Sequence, residues 1–169
     1  MSRAFVKEGD DDAAAGDLPE RPVPTHPNYV TARGLAQLQL RERELAARHE
    51  PLKAVAEEDS AAKQKLREVE RDLRYVRAQL ERAELVPASS GPTEAVRFGA
   101  EVVIQDEAGV RHRYRIVGDD EADAAVGDIS WASPLARALI GAHAGDTVTW
   151  RRPAGSTEIE VIEIRFDRA

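Results

Sequence analysis

Apolar positions divide the chain into regions of different period. Leu66, Val69, Leu73, Val76, Leu80 and Ala83 recur at spacings of three and four, with Lys, Arg and Glu between them. That is the seam of a helix packed lengthwise on another helix. Upstream, Leu38, Leu45 and Leu52 hold one seam position, while Leu35, Glu42, His49 and Ala56 share the other. Seam residues on both sides of a polar break predict an antiparallel helical hairpin over residues 28–86. With arms running from near Thr31 to near Leu85, the midpoint falls in AEEDSAA, which places Glu57, Glu58 and Asp59 at the distal turn. Asp59 or Ser60 suits the N-cap of the second arm. Pro51 either kinks the first arm or stops it near Arg48, because it removes a backbone donor inside a helix.

After PASSGPTE (87–94), a linker by composition, the period changes to two. Val96, Phe98, Val102 and Ile104 read as a strand, DEAG as a turn, and VRHRYRIVG as the return strand. DDEADAAVGD reads as an acidic loop, followed by a short strand at ISW. Ser133-Pro134 opens a short helix as N-cap and first helical residue. TVTWRR and TEIEVIEIRF close the pattern as strands. Residues 95–169 are therefore expected to form a compact antiparallel α+β domain, with Tyr114, Trp131, Trp150 and Phe166 in its core. Residues 1–27 combine acids, small residues and prolines, and are expected to be a disordered acidic, proline-rich tail.

Composition narrows the functional classes. The 169 residues carry no cysteine, which excludes disulfides and thiolate metal sites, and the net charge is −7. The tail and the C-terminal region hold the acidic excess, whereas residues 28–86 are close to balanced, with twelve basic and eleven acidic side chains. An acidic total argues against independent duplex-DNA binding. No apolar run approaches the ~20 residues of a membrane span, and no secretory signal opens the chain, so a cytoplasmic protein is expected. His26, His49, His112 and His143 fall in different elements without ligand spacing. Glu57, Glu58 and Asp59 are either an ordinary charged helix start or a working tip. Lys63, Lys65, Arg67, Arg71, Arg74 and Arg77 form either a basic strip or a solvated face paired at i,i+4 with Glu68, Glu70, Asp72 and Glu81.

NYVTARGLAQLQ, REVERDLRYVRAQLERAELV, VRFGAEVVIQDEAGVRHRYRIVGDDEAD and GDISWASPLARALIGAHAGDTVTWRRPAG together resemble the GreA/GreB family of bacterial transcript-cleavage factors over residues 28–166, with a GreB-like look. The resemblance implies an FKBP-like C-terminal domain that docks at the rim of the RNA polymerase secondary channel. It implies a coiled coil that enters the channel, contacts with the nascent RNA 3′ end along the basic residues, and tip acids sharing a Mg²⁺ with the polymerase. Such a factor is no enzyme itself; it stimulates RNA cleavage by the polymerase. The matching elbow is Ser133, Pro134, Ala136, Arg137, Ala138 and Leu139, with Ala132 where the family has a polar residue.

The family's tip motif, roughly Gly-Asp-x-Ser-Glu-Asn-Ala, is absent, and its Glu and Asp align with Val55 and Leu52. The hairpin is also about a dozen residues shorter than a GreB-like one, or about 10 Å of reach shared between two arms. Cleavage stimulation is therefore expected to be weakened or lost, with a Rnk-like or inhibitory polymerase-binding regulator as the alternative.

Overall fold

The computed structural model describes residues 18–88 and 94–166. A short strand β1 (Asn28–Val30) leads into helix α1 (Ala32–Val55), which is followed by helix α2 (Ser60–Glu81) and strand β2 (Ala83–Leu85). The helices are antiparallel: Arg77 meets Glu42 near the root, and His49 meets Glu70 nearer the turn. Val30, Leu38, Leu45, Val69, Leu73 and Val76 fill the space between them, with Leu35, Leu52 and Leu80 against their edges. Glu42 and His49, the polar residues that interrupt the first arm's seam, make the cross-arm pairs. Pro51 sits inside α1, which continues through it to Val55.

The root of the hairpin differs from the helical expectation. β1 and β2 pair in parallel, Asn28 opposite Ala83 and Val30 opposite Leu85, so residues 83–85 are strand rather than the end of the helix. The buried Asn28 side chain donates to the Gln79 carbonyl at 2.9 Å, taking up an acceptor in the last turn of α2. Residues 18–27 lie along α2, while residues 1–17 of the expected tail fall outside the described residues.

The second unit is a five-stranded sheet in the order β5-β4-β3-β7-β6. Its strands are β3 (Ala100–Asp106), β4 (Arg111–Val117), β5 (Asp128–Ser130), β6 (Thr147–Arg152) and β7 (Gly155–Phe166). Three pairings are antiparallel, but β4 and β5 run parallel. The sheet is mixed rather than antiparallel because residues 118–127, with a 3₁₀ turn at Asp119–Glu121, carry the chain back before it re-enters. The turn at 106–109 forms as expected: the Asp106 carboxylate accepts from the Ala108 and Val110 amides, and Gly109 takes φ 80°.

Helix α3 (Pro134–Leu139) covers one face. Its Leu135, Ala136 and Leu139 pack with Val96, Val102, Ile104, Ile116, Ile159 and Val161, while Tyr114, Trp131, Trp150 and Phe166 lie partly buried around them. Each large aliphatic side chain so buried contributes about 1.5–3 kcal/mol. The β3–β7 register slips between Val103 and Ile104. That bulge lets both Val161 and Ile164 reach the core despite lying an odd number of residues apart. No helix among the described residues is long and apolar enough to cross a membrane.

Candidate functional site

The distal end of the hairpin is the turn 56–59. Glu58 and Asp59 amides both bond to the Val55 carbonyl, and the Asp59 carboxylate accepts from the Ala61 amide at 2.8 Å, capping α2. The triplet therefore splits by task. Asp59 is engaged in capping, whereas the side chains of Glu57 and Glu58 are exposed and make no hydrogen bond or ion pair among the described residues. Leu52 packs against the hairpin core and Val55 is 49% exposed. The two positions that the resemblance set against tip carboxylates are an aliphatic contact and an apolar surface residue.

No group of three metal-ligating side chains comes together among the described residues. A hard cation needs several oxygen ligands, and two free glutamates do not make a site for one. The residues present do not fit a Mg²⁺ held by this chain alone.

Among the described residues, the basic side chains of α2 turn mainly to partners other than the acids four positions away. Arg71 reaches the neighbouring Asp72, Arg77 crosses to Glu42 on α1, and Arg74 grips Glu20 of the N-terminal segment through both Nε and Nη2. That contact holds the Glu20 carboxyl below its ordinary range. Asp72 gathers Arg21 and Arg41 as well as Arg71. Lys63 and Lys65, nearest the tip, are exposed and unpaired among the described residues, and Arg67 is half-buried with a partner. The structure gathers the free positive charge of α2 toward its tip.

At the opposite end lies the elbow. The Ser133 hydroxyl accepts from the Ala136 amide at 3.2 Å and Pro134 starts α3. Ala136 and Leu139 are fully buried core residues, so they shape the elbow without reaching its surface. Pro134 and Arg137 are exposed, and Ser133 and Ala138 are half-buried. The Ala132 amide bonds to the Ser130 hydroxyl, which itself donates to Asp119.

Between tip and elbow is a polar joint that sequence reasoning missed. Glu121, read as part of an acidic loop, is a buried carboxylate seated on the first turn of α1. Arg33 donates to Asp128 at 2.7 Å, which raises the guanidinium pKa further. Tyr75 and Gln79 of α2 donate to Asp120 at 2.8 and 2.7 Å. Arg21 lies over the Tyr75 ring, and His26 stands edge-on to Trp131 while facing Asp119. Tyr29 completes the joint between Phe98 and Trp131. The one available signal was the density of acids in 119–128, opposite an α1 whose first turns carry Arg33 as their sole charge.

The architecture is that of a two-part protein, a helical hairpin with two exposed carboxylates at its tip fastened at its root to a small sheet domain. The description "Transcription elongation factor, GreA/GreB, C-term" matches residues 91–166. The chain is 36% identical to the transcription elongation factor GreA of Alkalilimnicola ehrlichii over 152 residues, covering 81% of this chain and 96% of that one. It is 41% identical to GreB of Neisseria meningitidis over 105 residues, covering 62% of this chain and 64% of the relative's length. Among solved structures it is similar to GreA factor homolog 1 (Gfh1) of Thermus thermophilus: 28% identity, 83% and 99% of the two chains covered, TM-score 0.38. The chain belongs to the GreA/GreB family of transcription elongation factors.

Proposed function

We propose that this protein binds bacterial RNA polymerase and modulates elongation through the secondary channel. The surface of the elbow, Ser133, Pro134, Arg137 and Ala138, docks on the channel rim, and the hairpin enters with Glu57 and Glu58 foremost. Lys63 and Lys65 then stand beside the channel wall or the RNA 3′ end. The observation that carries this reading is the placement of two unpaired carboxylates at the end of a hairpin of 24- and 22-residue helices, about 33–36 Å long at helical rise. Carboxylates are hard oxygen donors, so the two glutamates would add ligands to a Mg²⁺ held by the polymerase, never hold one unaided.

The tip supports weak cleavage stimulation at most. Its third acid is engaged in capping, and Leu52 and Val55 stand where the family's motif has carboxylates. The same facts favour a second reading, an inhibitory, Rnk-like regulator that occupies the channel without promoting cleavage.

A transcript-cleavage assay on arrested bacterial polymerase, run with and without a cleavage-competent Gre factor, separates these outcomes. The expected result is competition with that factor and little cleavage by this protein alone. Robust cleavage that disappears in Glu57→Gln/Glu58→Gln would overturn the weakened-activity claim, and failure to bind polymerase would overturn the whole reading.

A further inference from the structure

The carboxylate of Glu121 has a side chain only 2% exposed. Oε2 accepts from the backbone amides of Thr31 and Gly118, both at 3.2 Å. Oε1 accepts from the Thr31 hydroxyl at 2.5 Å and faces Arg33 Nε at 3.5 Å. Thr31 is the N-cap of α1, and its hydroxyl also accepts from the Gly34 amide at 3.0 Å. One buried carboxylate of the sheet domain thus holds together the first turn of the hairpin and the start of its own loop. Space enforces the arrangement: a Cβ on Gly34 would lie 2.2 Å from the Glu121 carboxyl carbon, and one on Gly118 would lie 2.5 Å from the Tyr29 carbonyl oxygen. The neighbouring Asp128 and Asp120 take Arg33 on one arm and Tyr75 and Gln79 on the other. A single stretch, from the 3₁₀ turn at Asp119–Glu121 to the first residue of β5, therefore grips both arms at the root.

We propose that Glu121 is a positioning residue: seated on the first turn of α1, it sets the angle at which the hairpin leaves the sheet domain and so where Glu57 and Glu58 stand. Its seat is built for one orientation, because a buried carboxylate is strongly destabilising once its donors move away. The lever is long. Over an arm of about 36 Å, a lean of about 5° at the root carries the tip about 3 Å. A displacement of about 1 Å already costs ~100-fold where geometry decides a rate. The consequence at the polymerase rests on the function proposed above; the angle itself does not.

The absence of cysteine makes the test clean. Lys53→Cys on α1 and Thr149→Cys on β6 are exposed positions outside the joint, and spin labels there report the distance between hairpin and sheet domain by pulsed electron resonance in the full chain. The parent pair gives one narrow distance. Glu121→Ala is expected to lose it, giving a broad and shifted distribution while circular dichroism and a thermal melt show both units folded. Gly34→Ala, which favours the helix locally but intrudes on the carboxylate, is expected to do the same and decides the matter if Glu121→Ala does not fold. In the polymerase-binding assay, Glu121→Ala should keep its affinity, because the surface of the elbow is untouched. An unchanged narrow distance in a folded variant overturns the proposal whatever the polymerase does. A parent protein that does not bind polymerase sinks the function reading and leaves the distance result standing.

Discussion

Tyr75 shows how a single side chain on the hairpin is tuned by the sheet domain. Its hydroxyl donates to Asp120 at 2.8 Å and its ring lies under Arg21. Burial, then the Asp120 hydrogen bond and charge, push its pKa from 10.0 up to about 12, with Arg21 opposing. A phenol raised on folding stabilises the protein fully at pH values below its unfolded pKa of about 10. That contribution is lost as pH rises through about 12. Spectrophotometric titration should show a tyrosine step near pH 12 that is missing in Tyr75→Phe. If the parent shows no step near pH 12 that Tyr75→Phe removes, the contact with Asp120 is not made in solution. The same residue-scale logic separates Asp59 from its neighbours in the acidic triplet. An acid that caps a helix is recognised by what its oxygen accepts, and sequence alone offers three equal candidates.

At the scale of the element, Pro51 is the feature most at odds with its surroundings. It lies in the last turns of α1, cannot donate to the carbonyl one turn back, and crowds it. Proline inside a helix costs about 3 kcal/mol relative to alanine, less near an end and offset by a stiffer unfolded chain. Pro51→Ala should therefore raise the stability of the hairpin by about 1–2 kcal/mol, read as a higher midpoint in thermal denaturation. A lower midpoint would mean that the proline shapes the tip in a way alanine cannot. The hairpin, its turn and the α3 cap were legible in the sequence because each depends on local spacing or a local cap. The later strands were legible for the same reason, through their period of two, but the strand read from Val96 begins only at Ala100, because the chain turns at Phe98 and Gly99 before it enters the sheet. The β1–β2 pairing, the parallel β4–β5 pair and the bulge that brings Ile164 back to the core were not legible. Each is a relation between segments distant in sequence, and a three-residue strand such as Asn28–Val30 carries no period to read.

Across the whole molecule, two apolar cores meet through a joint that is mostly polar, and the contacts of that joint differ in exposure. The N-terminal segment is tied down at the surface: Glu20 and Arg74 are 62% and 58% exposed, so salt screens their attraction and the pair contributes little. Glu121 is buried and held by backbone amides, where mobile ions do not penetrate. The joint thus has an outer layer sensitive to ionic strength and an inner layer that is not. Raising salt to about 1 M, where the screening length is about 3 Å, should release residues 18–25 from α2 and leave the hairpin seated. Backbone resonances of residues 18–25 should shift with salt, while the Thr31 and Gly118 amides keep their protection from hydrogen exchange. Loss of that protection together with the surface segment would mean that the two units are held by exposed charge. The buried carboxylate would then be a passenger in the joint rather than its anchor.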